Sequence, residues 1–288
     1  MIDILVLNYN DAQTTICFVN SIKNYSCVRK ILVVDNHSTD NSLNELKNIQ
    51  SDKIIVADSG KNAGYGAGNN FGIRYLKERF DSEYILLSNP DVIVKENVLV
   101  ELENFLRNKS DYAISAPFML NSKEEKQYNT AFRIPSKWEY ILSINSLITK
   151  LTNSFYYKNI TAELKNVKDV GAVAGSMFLM RTKDMINYGM FDENVFLYCE
   201  ELILGIKLQN ANRKIALLTN NSFIHNHSVS INKTYKSSKE KKSLLMKSKL
   251  YVIRHYYKAN IIEYFIAIIL AKLSIAEDHL IDILSGHN

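Results

Sequence analysis

What most constrains this fold is the alternation of short apolar runs with helix-forming segments through roughly the first 120 residues. Runs at Ile2–Leu7, Lys30–Val34, Lys53–Ala57, Tyr84–Leu87 and Tyr112–Ala116 have strand length. Between them lie segments that read as helices. These are Asp11–Asn24, a stretch that Asp40 can cap through about Asn48, a Gly/Asn-rich turn from Gly60 to Gly72 continuing to Phe80, and Glu96–Arg107. Repeated βα units predict a parallel sheet with helices on both faces. Right-handed crossovers then open all strand ends on one side, where such sheets bind ligands.

The later chain is less regular. Ser136–Leu151 reads as a helix carrying Trp138, Tyr140 and Leu142, and Val170–Met180 is an apolar segment with Gly171 and Gly175. Phe191–Asn210 reads as a loop entering a helix, followed by short strands at Ile215–Leu218 and Phe223–Ile224. From Lys233 the chain is basic and helical. No internal repeat or low-complexity linker interrupts it.

Composition narrows the class. The 288 residues suffice for one large or two small domains, and 47% apolar with 23% charged residues is the ordinary globular range. Cys17, Cys27 and Cys199 show no zinc-site spacing, and a sparse odd count suggests reduced thiols in the cytoplasm. The chain opens on a strand-like run without a basic leader, so no secretion signal is expected. No run reaches the roughly 18 apolar residues of a spanning helix.

Polar residues crowd the strand ends: Asn8-Tyr9-Asn10, then Asp35-Asn36-His37-Ser38-Thr39-Asp40, then Lys61 to Gly72, then Asn89-Pro90-Asp91. Gly-rich backbone entering a helix can approach a phosphate closely. Each motif alone reads equally as a turn or a cap. Four in sequence over a parallel sheet point to a nucleotide pocket, with Asp91 placed to hold a metal or a phosphate-bearing substrate.

These residues, followed in order by Gly175-Ser176, Gly189-Met190-Phe191-Asp192-Glu193, Tyr198-Cys199-Glu200-Glu201 and His225 with Ser230, resemble the family 2 glycosyltransferases. The closer likeness is to the rhamnosyltransferase-like bacterial polysaccharide branch. The resemblance covers roughly residues 1–230 and implies a GT-A fold, with a Rossmann-like, mostly parallel central sheet flanked by helices and a C-terminal helical extension. It implies a nucleotide-binding part over about 1–120, an acceptor-binding part over about 121–230, and C-terminal helices over 231–288. By position, Asp35 would bind the base or ribose, with Asn8, Asn10 and Asn36 nearby and Asn62, Gly64 and Asn70 along the nucleotide. Asp91 would take the place of the last Asp of the family's Asp-x-Asp motif, with Asn89 where the first Asp stands. His225 would add a metal or diphosphate contact, so a divalent metal, Mn²⁺ or Mg²⁺, is implied; one carboxylate with phosphate and water ligands can suffice. Glu200-Glu201 would match the family's Glu-Asp pair, whose second member is the catalytic base; that makes Glu201 the base and leaves Glu200 as its competitor. The same acids would also complement a helix dipole without catalysing anything.

The activity implied is inverting transfer of a sugar from a nucleoside-diphosphate sugar to a glycan acceptor on a polyprenyl lipid, in capsule or O-antigen type synthesis. A sugar nucleotidyltransferase and a non-catalytic partner subunit remain as alternatives. The nucleotidyltransferase would need a basic Gly-rich loop after the first strand, where Asn8-Tyr9-Asn10-Asp11 stands. The net charge of +5 gathers late in the chain, in Lys233, Lys236, Lys239, Lys241, Lys242, Lys247, Lys249, Arg254 and Lys258, ahead of the apolar run Ile261–Leu270. Residues 233–273 therefore suit an anionic membrane surface, on the inner face of the cell membrane. Packing on the core or against a second copy of the chain, as a homodimer, is the other reading. No nucleic-acid module accompanies the lysines.

Overall fold

The computed structural model describes residues 1–145, 148–149, 155–157, 166–226 and 238–284. Its first half realises the βα alternation: β1 (Ile2–Asn8), α1 (Ala12–Ile22), β2 (Val28–Asp35), α2 (Ser42–Lys47), β3 (Ile54–Asp58), α3 (Tyr65–Phe80) and β4 (Tyr84–Ser88). The four strands pair in parallel, in the order β3-β2-β1-β4. Register aligns their carboxyl ends, with Asn8 opposite Asp35, Asp35 opposite Asp58 and Val6 opposite Ser88. The polar residues after each run therefore share one edge of the sheet. Beneath it, Ile4, Val6, Ile31 and Val33 face one helical layer, and Leu5, Leu32 and Val34 the other. Burial on both faces accounts for runs without polar alternation.

The second half continues through β5 (Val92–Ile93), α4 (Glu96–Asn108) and β6 (Tyr112–Leu120). A small two-stranded sheet follows from β7 (Ala131–Phe132) and β9 (Ala172–Val173), with α5 (Lys137–Leu142) and β8 (Val167–Val170) between them in sequence. β10 (Met177–Arg181) runs antiparallel between β4 and β6. β11 (Lys214–His225) lies parallel to β6, and its outer edge takes β8 near its start and β5 at its end. The sheet is thus mixed, and parallel across β3-β2-β1-β4, as expected.

Three expectations shift in detail. Val170–Met180 is two strands that turn at Ala174–Ser176 and not a single segment. The two short strands over 215–224 are one, because a register break between Leu218 and Ser222 lets β11 continue past an irregularity. The helix expected over Ser136–Leu151 closes at Leu142 in α5, begun by a full capping box between Ser136 and Glu139. After it, the Asn145 side chain accepts the Ile148 N–H at 3.0 Å, a local bond that competes with helical continuation.

Helices α6 (Glu200–Asn210), α7 (Ser238–His255) and α8 (Ile261–Leu284) complete the chain. Tyr140 and Ile141 of α5, Leu202, Ile203 and Ile206 of α6, Met246, Val252 and Ile253 of α7, and Ala267 and Ala271 of α8 form one shared core. The cysteines are free thiols. The Lys233 and Lys236 positions, His227 and Ser230 lie outside the described residues.

Candidate active site

The strand ends form a hydrogen-bonded floor. Asp35 is fully buried, and both of its oxygens are engaged. Oδ1 accepts from Asn8 Nδ2 at 2.8 Å and Ser38 Oγ at 2.6 Å, and Oδ2 accepts from the Ser38 N–H at 2.8 Å. Asn8 in turn accepts from Thr15 Oγ1 at 2.8 Å. Asn10 ties the same two loops together: its Oδ1 accepts the Thr39 N–H at 2.8 Å and its Nδ2 donates to Thr39 Oγ1 at 3.0 Å. Asn36 Nδ2 donates to Asn62 Oδ1 at 3.1 Å and to the Gly64 carbonyl at 3.3 Å, fixing the Gly/Asn loop over β2. Asn70 makes a two-point bond with the Phe191 backbone, 2.9 Å in each direction.

Above this floor opens a cleft of about 830 Å³. Of the residues singled out from sequence, Asn8, Asn36, Asn62, Gly64, Asn89, Asp91, Glu200, Glu201 and His225 line it. Asp35, Asn10 and Asn70 stand behind the lining, holding the loops that form it. Gly64 sits at φ 98°, and a Cβ there would lie 2.2 Å from the Phe196 carbonyl oxygen, so only glycine lets the loop close on the segment before α6. That closure joins the nucleotide-side loops to the loop carrying the acids, with the Tyr65 N–H donating to the same carbonyl at 3.0 Å.

Asp91 and His225 meet at one end of the cleft. β5 pairs Val92 with His225, and the Asn226 N–H donates to the Asp91 carbonyl at 2.9 Å. His225 Nε2 lies 3.1 Å from Asp91 Oδ1, and both side chains are about nine-tenths buried. One carboxylate and one imidazole converge there. Among the described residues no group of three or more His, Cys, Asp or Glu is arranged around a metal.

The acids reach the cleft at the start of α6. Asn89 N–H donates to the Ser176 carbonyl at 2.8 Å, and the adjacent Gly175 N–H donates to Glu201 Oε1 at 3.1 Å. A Cβ on Gly175 would lie 2.8 Å from that oxygen, so glycine is what admits the carboxylate. Tyr65 Oη donates to the Gly175 carbonyl at 2.7 Å, pinning the turn from the other side. Burial, then the charges of Glu201 and Glu200, pushes the Tyr65 hydroxyl far above its ordinary pKa, so it stays protonated as this donor. Glu200 is 5% exposed, and its Oε1 has no hydrogen-bond partner among the described residues. Burial first, and then the neighbouring Glu201 charge, raises the Glu200 pKa above the usual carboxylate range; burial raises that of Glu201, against the Gly175 N–H that lowers it. A raised carboxylate in a cleft is suited to take up a proton near neutral pH. The chain reaches these acids through two successive left-handed residues, Tyr198 (φ 73°) and Cys199 (φ 70°). Non-glycine residues in this region carry strain of about 1–2 kcal/mol each, the kind of outlier that functional sites retain.

Beyond the acids the wall turns aromatic, with Phe132, Tyr140, Phe155 and Tyr156, and is completed by Ser143, Lys241, Leu245 and Lys249. None of these, nor Tyr65, was singled out as a site residue from sequence. The one available signal was helical spacing: 241, 245 and 249 share a face of α7.

Comparison with known proteins agrees with this geometry. The sequence profile of the family described as Glycosyl transferase family 2 matches residues 3–186. The chain is 29% identical over 159 residues to rhamnosyltransferase WbbL of Escherichia coli (strain K12), covering 53% of this chain and 57% of that relative. It is 28% identical over 229 residues to the low-salt glycan biosynthesis hexosyltransferase Agl10 of Haloferax volcanii, covering 79% of this chain and 68% of the relative. Among solved structures, GalNAc-T7 with UDP, GalNAc and Mn²⁺ superposes with a TM-score of 0.63 at 14% identity, covering 99% of this chain and 58% of that one. S. aureus TarS 1-349 in complex with UDP-GlcNAc gives 0.54 at 12% identity, covering 88% and 67%. The chain therefore spans little more than half the length of WbbL and of the GalNAc-T7 chain. The structural likeness is one of fold, the GT-A arrangement of a mostly parallel sheet flanked by helices.

Proposed function

We propose that this chain, which belongs to glycosyl transferase family 2, is an inverting hexosyltransferase that moves a sugar from a nucleoside-diphosphate donor onto a glycan acceptor carried by a polyprenyl lipid, in bacterial surface polysaccharide synthesis. The observation that carries this reading is the meeting of two chemistries in one cleft, the Asp91–His225 pair and the Glu200–Glu201 pair. A nucleotide-side floor with a single base region suits transfer better than hydrolysis, which needs two carboxylates flanking one bond. The relatives named for rhamnosyl and hexosyl transfer support the same class.

In this reading Asn8, Asn36, Asn62 and Gly64 face the nucleotide, and Asp35 acts from behind by orienting the Asn8 amide. Asn89 borders the diphosphate. Asp91 and His225 fit a divalent cation, Mn²⁺ or Mg²⁺, as a hard carboxylate and an imidazole that already converge, with phosphate oxygens and water to complete the shell. When bound, such an ion supplies Lewis-acid stabilisation to the diphosphate leaving group; the Mn²⁺ in the GalNAc-T7 structure supports this. Glu201 is the general base. The Gly175 N–H holds one of its oxygens and leaves the other to take the acceptor hydroxyl proton. As that proton leaves, the acceptor oxygen bonds to the anomeric carbon and the bond from that carbon to the diphosphate oxygen breaks, inverting the centre. Glu200, more deeply buried, shapes the local field.

The C-terminal helices take the protein to a membrane surface, the inner face of the cell membrane. No helix among the described residues is long and apolar enough to cross a bilayer. On α8, however, Ile261, Ile262 and Phe265 are 80%, 72% and 62% exposed, and Ile269 and Leu273 continue the stripe. Arg254, Lys258 and Lys272 are exposed around it. Apolar side chains flanked by cations suit an anionic lipid surface. Covering this face by a second copy is the competing arrangement.

The test is calorimetric titration of nucleoside diphosphates and nucleotide sugars, with and without Mn²⁺ or Mg²⁺. Metal-dependent binding of one base, weakened in Asp91→Ala, supports the donor site. Absence of binding by every nucleotide would reject it.

A further inference from the structure

Hydrogen bonds and chain connectivity link side chains of the cleft in one series. It runs from Asp91–His225 to Asn89 and Ser176, then to Gly175 and Glu201. From the acids it continues to Cys199, whose thiol lies 3.3 Å from the Tyr140 hydroxyl, and then to Ser143, whose Oγ donates to the Tyr140 carbonyl at 2.7 Å. At the far end, Lys249 Nζ donates to the Ser143 carbonyl at 2.9 Å. The donor's diphosphate is assigned to the Asp91 end. Lys249 therefore belongs to the α5–α7 wall, beside Cys199, and not to the strand ends that carry Asp91, on the wall that the donor reading leaves to the acceptor.

Lys249 is a cation in an unusual place. It comes from α7, lines the cleft and is mostly covered, and no carboxylate partners it among the described residues. Burial lowers its pKa, and Lys242 adds to that lowering. An ammonium has three donors, and the Ser143 carbonyl uses one. A cation removed from water without a counter-charge is costly, and the cost falls when an anion arrives. Tyr140, Phe155 and Tyr156 line the same cleft as this cation and the acids. Apolar sugar faces can lie along such a wall while an anionic group reaches the lysine.

We propose that Lys249 binds a phosphate group of the acceptor, so that this cleft takes a phosphate- or diphosphate-linked glycan and not a neutral one. The proposal rests on the transferase reading above and adds the residue that holds the acceptor's phosphate. The phosphate has two sources, a lipid diphosphate or a water-soluble phosphate ester.

Three probes separate these sources by calorimetry: farnesyl diphosphate, glycerol 3-phosphate, and the nucleoside diphosphate that binds the donor site. Lys249→Met keeps length and apolar packing but removes the charge; Lys249→Arg restores it. Loss of a charge-assisted hydrogen bond corresponds to about 10- to 100-fold in affinity. The expected result is that loss for the phosphate probe in Lys249→Met, recovery in Lys249→Arg, and unchanged nucleoside diphosphate binding. Farnesyl diphosphate alone binding identifies a lipid source; both phosphate probes binding identifies a soluble ester. In the wild-type chain, farnesyl diphosphate should also protect Lys249 from acetylation, read by mass spectrometry, a measurement that needs no variant to fold. If neither phosphate probe binds while the nucleoside diphosphate does, the proposal fails. It fails also if Lys249→Met weakens nucleotide and phosphate probes alike, since the lysine then serves the donor. If no nucleotide binds but phosphate binding still depends on Lys249, the donor reading falls and the Lys249 site stands.

Discussion

Replacing Glu200 by Gln should make the protein more stable above neutral pH and leave it unchanged in acid. Glu200 is 5% exposed, has an unpartnered Oε1, and sits beside a second carboxylate. Its folded-state pKa is therefore raised above the value it has in the unfolded chain. Between those two values the folded state keeps a proton that the unfolded state has released, so raising the pH favours unfolding. The penalty is absent below the unfolded pKa, grows by about 1.4 kcal/mol per pH unit across the window, and is constant above the folded pKa. Gln keeps the shape but carries no charge to desolvate, so Glu200→Gln removes this penalty. Roughly 1–3 kcal/mol of gain is expected near pH 8, or about 2–4 °C in Tm for each kcal/mol, with no difference near pH 4. Paired thermal melts across that range read it directly. A variant less stable than wild type near pH 8, or a gain of equal size in acid, would refute the claim that the Glu200 charge is held at a cost.

Three further outcomes follow from the same geometry. Glu201→Gln should lower the transfer rate about 10²- to 10⁴-fold with little change in donor affinity; in the wild-type enzyme kcat/KM should rise with pH through a midpoint above the ordinary carboxylate range, because the base works ionised and burial raises its pKa. Gly64→Ala should cost about 1–3 kcal/mol from its φ of 98° alone, more with the clash at the Phe196 carbonyl, and should weaken nucleotide binding in the same titration. Replacing Phe265 and Ile269 by Ser should abolish sedimentation with anionic vesicles while leaving nucleotide binding intact; a change in oligomeric state on light scattering with no change in vesicle binding would assign that face to a second copy.

The first half of the fold was legible because its information is local. Each apolar run carries its own strand, and each polar tail falls at a strand end whose alignment follows from parallel pairing. Asp35 could be recognised as a strand-end carboxylate, but the engagement of both its oxygens by Asn8 and Ser38 depends on how two loops meet, which residue spacing does not express. The far half of the cleft was opaque for the converse reason. Tyr140 stacks on Tyr257, Lys137 pairs with Glu263, and Lys249 reaches Ser143, all contacts across more than a hundred residues. In a run of lysines, those that line the cleft look like those that face solvent. The Glu200–Glu201 pair was visible as a motif, whereas the left-handed approach through Tyr198 and Cys199 carries no residue signature, since neither is Gly, Asn or Asp.

The placement of α7 explains why a helix so rich in lysine is kept against an enzyme core. Asp192, in the loop leading to Glu200 and Glu201, accepts from Tyr256 Oη at 2.7 Å and Tyr251 Oη at 2.9 Å, and Ser248 Oγ donates to the Leu197 carbonyl at 2.7 Å. The same loop is held from the other side by Asn70 at Phe191 and by Gly64 at Phe196. The segment leading to Glu201 is thus clamped between the loops at the strand ends and the C-terminal helices. Hydrogen bonds to a charged group contribute about 1.5–3 kcal/mol each, so the two tyrosines at Asp192 are enough to tie the position of α7 to that of the loop. α8 packs against α7 through the core they share and turns its apolar stripe outward. Whatever surface that stripe rests on is therefore mechanically continuous with the wall that presents Lys249, and an acceptor anchored to that surface would meet the cleft beside α7.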